Sequence, residues 1–182
     1  MPNRTISASD AAELMVLFES EGIMVWIDGG WAVDALLDGQ TRPHGDLDLV
    51  VREQDAPHLR KLLEARGYTD QDRDDTTAWN FVLGDAAGRD VDLHVVALDT
   101  AGDGVYGPPE RGMRYPADSL TGRGRICGHP VRCIAPEWLV KFHTGYAIDA
   151  QDIRDVLALH RRFGVALPAE YAQYRESDGP KG

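Results

Sequence analysis

The sequence predicts an α/β protein: a small, mixed, twisted sheet with helices on one face and further helices at its C-terminal end. Three observations predict it. An apolar strand runs into a Gly-Gly pair and directly on into a helix between Met24 and Leu37. Two later strands, Leu47 to Arg52 and Asp90 to Leu98, alternate acidic and apolar residues, and after Ala135-Pro136 the pattern turns wholly helical. Apolar positions that switch between a period of two and a period of 3.6 imply strands and helices sharing one core.

Taken in order, Ser9 to Glu21 carries Leu14, Leu17 and Phe18 at helical spacing, with Ser7 or Ser9 as N-cap and Gly22 as stop. Met24 to Ile27 reads as a strand ended by Asp28-Gly29-Gly30, and Trp31 to Leu37 as a short helix starting from the glycines. After the strand Leu47 to Arg52, Pro57 to Arg66 forms a helix with Pro57 in its first turn and Gly67 just past its end. Ala78 to Leu83 and Asp90 to Leu98 flank a glycine-containing run suited to an antiparallel connection. The Gly/Pro-rich segment 101–118 has no clear period, and long irregular stretches in compact domains are often lids or binding loops. Arg125 to Cys127 and Val131 to Ile134 predict a hairpin around a Gly128-His129-Pro130 turn. Helices at Glu137 to Tyr146 and Gln151 to Phe163 follow, and then a loose tail after Leu167. With 182 residues, one compact unit is expected: a core over 1–135 and a helical extension over 136–182 that closes a cleft.

Lys plus Arg number 19 against 30 Asp plus Glu, a net charge of −11, and this field repels phosphate backbones and anionic lipid. Nucleic-acid and membrane-surface partners are therefore disfavoured, whereas a cationic small molecule is attracted. The N-terminus lacks a signal-peptide core and no run of about 18 apolar residues follows, so a cytoplasmic protein, monomer or homodimer, is expected. Cys127 and Cys133 lack the paired spacing of a zinc site and read as reduced packing thiols.

The chemistry concentrates in Asp46-Leu47-Asp48-Leu49. Residues i and i+2 of a strand share a face, so Asp46 and Asp48 point one way and the leucines the other, with carboxylate-bearing Cα atoms about 6 to 7 Å apart. Like charges that close repel unless solvent or a cation separates them, and a hard divalent ion such as Mg²⁺ answers the repulsion. Asp90, Asp92 and His94 repeat the alternation. If the two strands are neighbours, Asp92 or Asp90 completes a carboxylate site for two metals; the wet face of an antiparallel sheet gives the same pattern without one. Gly29-Gly30 ahead of a helix offers close backbone approach and free N–H groups suited to phosphate, or merely a tight turn. Arg42 and His44, just before the acidic strand, would join a triphosphate held there.

These residues resemble a family. Trp26 to Asp34 (W-I-D-G-G-W-A-V-D), Arg42 to Leu49 (R-P-H-G-D-L-D-L) and Asp92-Leu93-His94 are similar to small antibiotic nucleotidyltransferases of the polymerase-beta-like superfamily. The short lincosamide nucleotidyltransferases are the nearer likeness and the aminoglycoside 2″-nucleotidyltransferases a step further. The likeness continues through Cys133-Ile134, Phe142 to Tyr146 and Asp152 to Asp155.

The resemblance implies the polymerase-beta-like fold and transfer of a nucleoside monophosphate from ATP or another NTP to a drug hydroxyl, releasing pyrophosphate, with two Mg²⁺ ions. It implies Asp46, Asp48 and Asp92 as metal ligands, Asp92 as general base, and Gly29 and Gly30 as phosphate contacts. Arg42 and His44 are further nucleotide candidates, and His94, His143 and Tyr146 are candidates for substrate. Trp31, Trp79 and Trp138 read as core or pocket wall, and Asp152 and Asp155 as complements to a helix dipole. Lys141 stands where the lincosamide enzymes have an apolar residue, either reaching a phosphate or an adenine edge or lying on a solvated helix face. Two other functions use the same residues: nucleotidyl transfer to a protein or tRNA, or nucleotide binding without catalysis.

Overall fold

The computed structural model describes residues 5–175. Helix α1 (Ala8–Ser20) is capped by Ser7, which accepts from the Asp10 amide while Asp10 reaches back to the Ser7 amide, a reciprocal capping box. Strand β1 (Val25–Ile27) leads through Asp28 into α2 (Gly29–Leu37). The two glycines are thus the first residues of the helix rather than a turn ahead of it.

The chain continues with β2 (Asp46–Arg52), α3 (Ala56–Glu64), β3 (Thr69–Gln71), β4 (Asn80–Gly84) and β5 (Asp90–Leu98). Segment 101–118 is not irregular throughout: β6 (Gly104–Tyr106) and β7 (Arg114–Tyr115) fold back beside β5. The hairpin is β8 (Gly122–Ile126) and β9 (His129–Cys133), and its turn is Cys127-Gly128 instead of the expected Gly128-His129-Pro130. Both turn residues have positive φ, 49° and 76°, the backbone that matches strand twist in a two-residue hairpin. Cys127 is therefore exposed at a turn, and only Cys133 packs in the core. Pro130 is tolerated inside β9 because β1 pairs with β9 only at Ile27–Cys133, leaving the proline away from that ladder.

Helices α4 (Pro136–Phe142) and α5 (Ala150–Phe163) complete the regular elements. α4 stops at Phe142, short of the expected Tyr146, and Asp149 and Asp152 form a second capping box that starts α5. The tail is not loose as far as Arg175: a 3₁₀ turn, Ala169–Tyr174, buries Tyr171, whose hydroxyl donates to the His143 carbonyl. The rest of that expected tail lies outside the described residues.

The mixed sheet runs β3-β4-β5-β2-β1-β9-β8. β2 lies parallel to β5 and antiparallel to β1, while β4 is antiparallel to β5. Alternation decides which face carries what. Leu47, Leu49, Val51, Val91, Leu93 and Val95 point to one face and are all buried. Register places Asp48, Asp92, His94 and, through Val96–Tyr106 pairing, Tyr106 on the other. Among the described residues no helix is long and apolar enough to cross a membrane.

Candidate active site

Parallel pairing of β2 with β5 sets Asp46 opposite Asp90 and Asp48 opposite Asp92. Asp48, Asp92 and His94 each present a ligand atom, all within 4.8 Å of one another. Asp46 lies outside this tight group, yet its charge is felt there. Burial, then the negative charges of Asp46, Asp28 and Asp92, push the Asp48 carboxyl well above the ordinary carboxylate range. Asp92 is raised as well, chiefly by burial, with His94 and Arg73 pulling the other way. One Asp92 oxygen, Oδ1, is buried without a hydrogen-bond partner. Desolvated, mutually repelling carboxylates with an unpartnered oxygen form a donor set that fits a divalent cation. Asp90 takes no place in it: its carboxylate turns to Arg73 at 3.3 Å and packs where Gly84 leaves room.

The glycines serve this cluster directly. Gly29 sits at φ 58°, and a Cβ added there overlaps the Asp48 carboxylate. A Cβ at Gly30 falls 2.5 Å from His44 Nδ1 and 2.6 Å from Arg42 Nη2. Asp28 caps α2 by accepting the Gly29 amide at 2.8 Å, which also brings a fourth carboxylate toward the site.

Arg42 and His44 form a relay rather than two free ligands. Thr41 and His44 Nε2 meet the two oxygens of Asp34 at 2.6 and 2.5 Å. Arg42 donates to His44 Nδ1 at 3.0 Å and to Asp155 at 3.0 Å. His44 is 3% exposed and packs tilted against Trp31, ring centroids 4.5 Å apart, so its ring orients Arg42 from behind. Asp155, read from sequence as a dipole complement, is a buried partner of this guanidinium.

His143 and Tyr146 gather apart from the carboxylates, where α4 meets α5. The Tyr146 hydroxyl donates to Asp152 at 3.0 Å, and His143 hydrogen-bonds the Leu139 carbonyl through Nδ1 and lies 3.9 Å from Asp152 through Nε2. Tyr146 is half exposed. Lys141 places its ammonium 3.9 Å over the Trp138 ring, a cation–π contact within one helix.

Sequence reasoning missed Tyr115, Tyr106 and Asp28. The Tyr115 hydroxyl donates to Asp28 Oδ2 at 2.9 Å and lies 2.8 Å from His94 Nδ1. Burial and the Asp28 charge hold that phenol well above its ordinary pKa, and Tyr106 is pushed up to about 12. Asp28, Tyr106, Met113, Arg114, Tyr115 and Phe142 line a cleft of about 200 Å³ beside the carboxylates. A larger cavity, about 240 Å³, opens elsewhere among Asp38, Gln40 and Arg125; the smaller cleft is the one that adjoins the reactive groups. The only advance signal for the tyrosines was two aromatic residues in a Gly/Pro-rich stretch.

Fold and site together define a nucleotidyltransferase of the polymerase-beta-like fold. The chain belongs to the aminoglycoside-2″-adenylyltransferase family, whose sequence profile matches residues 11–159, and it is an enzyme of the adenylyltransferase type. It is similar to a lincosamide resistance protein of Staphylococcus haemolyticus, 27% identical over 162 residues, or 86% of this chain and 96% of that relative. A 2″-aminoglycoside nucleotidyltransferase of Klebsiella pneumoniae is 33% identical over 55 residues, covering 30% of this chain and 31% of the relative. The crystal structure of the lincosamide antibiotic adenylyltransferase LnuA with lincomycin bound matches with a TM-score of 0.74 and 26% identity over 85% of this chain and 97% of that one. ANT(2″)-Ia in complex with adenylyl-2″-tobramycin shares the fold at a TM-score of 0.64 and 20% identity, over 85% of this chain and 87% of that one.

Proposed function

We propose that this enzyme transfers a nucleoside monophosphate, adenylate by preference, from a nucleoside triphosphate to a hydroxyl of a small antibiotic, a lincosamide before an aminoglycoside. The observation that carries it is the facing of Asp48 and Asp92 across β2 and β5, next to an aromatic cleft sized for a small molecule. Two features favour the lincosamide. Similarity to a lincosamide resistance protein spans 86% of the chain, against 30% for the aminoglycoside relative. The cleft wall of Tyr106, Met113, Tyr115 and Phe142 carries one carboxylate, Asp28, and one cation, Arg114, which suits a drug of mixed polarity better than a polycation.

In this reading Asp48 and Asp92, with Asp46 beside them, hold Mg²⁺, in the number of two by analogy with the class. Bound divalent ions neutralise charge on the triphosphate and on the departing pyrophosphate. The chain's own groups do the rest. Asp92, the third carboxylate, accepts the proton of the acceptor hydroxyl. The acceptor's hydroxyl oxygen bonds to the α-phosphorus as the bond to pyrophosphate breaks. The start of α2 at Gly29 and Gly30, with Arg42 fixed by His44 and Asp155, seats the phosphates. The helices after residue 135 close the far side of the cleft, where Phe142 packs edge-on to Tyr115. The test is incubation with Mg²⁺ and ATP against lincomycin and tobramycin, read by mass spectrometry. Addition of one adenylyl group to lincomycin is expected; transfer to tobramycin alone overturns the preference, and transfer to neither overturns the function.

A further inference from the structure

Resting on the reading of these carboxylates as a metal site, we infer that His94, held in a single tautomer by Tyr115 and Asp28, is its nitrogen donor, so that the site holds first-row transition ions more tightly than Mg²⁺. The argument begins at the start of α2. Asp28 Oδ1 accepts the Gly29 amide at 2.8 Å, and Oδ2 accepts the Tyr115 hydroxyl at 2.9 Å. The phenolic proton is spent on that carboxylate, so toward His94 the Tyr115 oxygen acts as acceptor. His94 Nδ1, 2.8 Å away, must carry the proton and donate it. The other ring nitrogen, Nε2, faces the carboxylates and is the atom the ring can offer to a cation.

There Nε2 meets Asp92 Oδ1 at 3.6 Å. That separation exceeds the roughly 2.7–3.2 Å of an N–H···O hydrogen bond, and Oδ1 is a buried oxygen with no hydrogen-bond partner. His94 Nε2 and Asp92 Oδ1 thus face each other without a hydrogen bond, and Asp48 supplies a third ligand atom within the same 4.8 Å group. A cation among the three relieves the repulsion. The ring is prevented from turning away: its centroid lies 5.5 Å from that of Tyr106 and 6.4 Å from that of Tyr115. A histidine whose remote N–H is fixed by an outer partner is the usual arrangement of an imidazole metal ligand. Imidazole moves preference away from Mg²⁺, which favours oxygen, toward transition ions. Tyr115 and Asp28 act as positioning residues, through the tautomer.

The probe is Mn²⁺, added without nucleotide to protein labelled with ¹⁵N in histidine and read by pulsed electron paramagnetic resonance. A ¹⁵N coupling to bound Mn²⁺ is expected in the unmutated protein and is lost in His94→Gln. Competition should show Mn²⁺ bound at least tenfold more tightly than Mg²⁺. Tyr115→Phe, which keeps the ring packing, should lower Mn²⁺ affinity by about tenfold or more while leaving Mg²⁺ affinity nearly unchanged, a selective loss that a packing defect does not produce. Bound Mn²⁺ without ¹⁵N coupling, a coupling that survives in His94→Gln, or no Mn²⁺ binding at all overturns the assignment. Asp48→Asn keeps the two ideas apart. If it abolishes Mn²⁺ binding and the unmutated protein shows no ¹⁵N coupling, the carboxylate site stands while the His94 donor falls, and the transfer reaction is decided by the lincomycin and tobramycin assay alone.

Discussion

A Cβ added at Gly29 falls 2.2 Å from Asp48 Oδ2, on a backbone already at φ 58°, so a side chain at position 29 has to push the carboxylate aside. The glycine therefore sets the distance between the start of α2 and the acidic strand. Gly29→Ala combines left-handed strain with overpacking, each typically worth about 1–3 kcal/mol. The expected result is a melting temperature lower by several degrees, together with at least a tenfold loss of adenylyl transfer. Scanning calorimetry and a transfer assay on the same preparation check both, and an alanine variant with unchanged melting and turnover would falsify the contact.

Asp48→Asn and Asp92→Asn should each lower turnover by a factor of about 10² or more with the fold retained, the usual scale for losing an electrostatic element of phosphoryl chemistry. Asp90→Asn should cost stability rather than chemistry, because that carboxylate faces Arg73 and takes no part in the close donor group. Steady-state kinetics beside circular dichroism separate the two outcomes. Equal catalytic losses at 90 and 92 would contradict the placement of the strands.

The strand pairing that creates this contrast was half legible in the sequence. Alternation of Asp46, Leu47, Asp48 and Leu49 fixed which face each side chain takes, because a strand has a period of two. It could not fix the partner strand, since register across β2 and β5 depends on contacts more than 40 positions apart in the chain, and Asp48 opposite Asp92 emerges only in the fold. Arg42 and His44 were recognisable as candidates, but their relay to Asp34 and Asp155 was not, because Asp155 arrives from α5. Tyr115 stayed hidden for another reason. β7 is two residues long, too short to carry a periodic signal, and its position comes from pairing with β6.

Burial and like charge raise the Asp48 and Asp92 carboxyls above their unfolded value of 3.8. The protonated form is thus favoured in the folded state, so the stability these groups contribute is fully present below about pH 3.8 and is lost as pH rises through their higher folded values. At pH 7 the metal-free protein has lost stability that it holds in acid, because the unfolded chain ionises these carboxyls more readily than the fold does. Asp48→Asn should then raise the melting temperature of protein treated with chelator at pH 7 by a few degrees, given that about 1 kcal/mol moves it by about 2–4 °C at this size. The gain should vanish near pH 4. Saturating divalent ion should stabilise the unmutated protein at pH 7 more than the asparagine variant. A variant that melts lower than its parent at pH 7 without metal would show that Asp48 is held by favourable contacts instead.

Arg42 joins the two ends of the molecule, since its guanidinium spans His44, ahead of β2, and Asp155 on α5. Asp155 is 5% exposed, so removing the arginine strands a buried carboxylate, and breaking a buried pair from one side costs about 3–5 kcal/mol. Arg42 is itself only partly covered, which places Arg42→Ala at the lower end of that range. Asp155→Ala alone leaves the arginine with His44 and solvent and should cost less. In the double variant neither charge is stranded, and a coupling of about 1–3 kcal/mol between the two positions is expected from urea unfolding of the four proteins. On the proposed seating of the phosphates by Arg42, with Asp155 only orienting it, Arg42→Ala should raise the Michaelis constant for ATP far more than Asp155→Ala at matched stability. Equal effects on that constant would mean that the pair ties α5 to the core without serving the nucleotide.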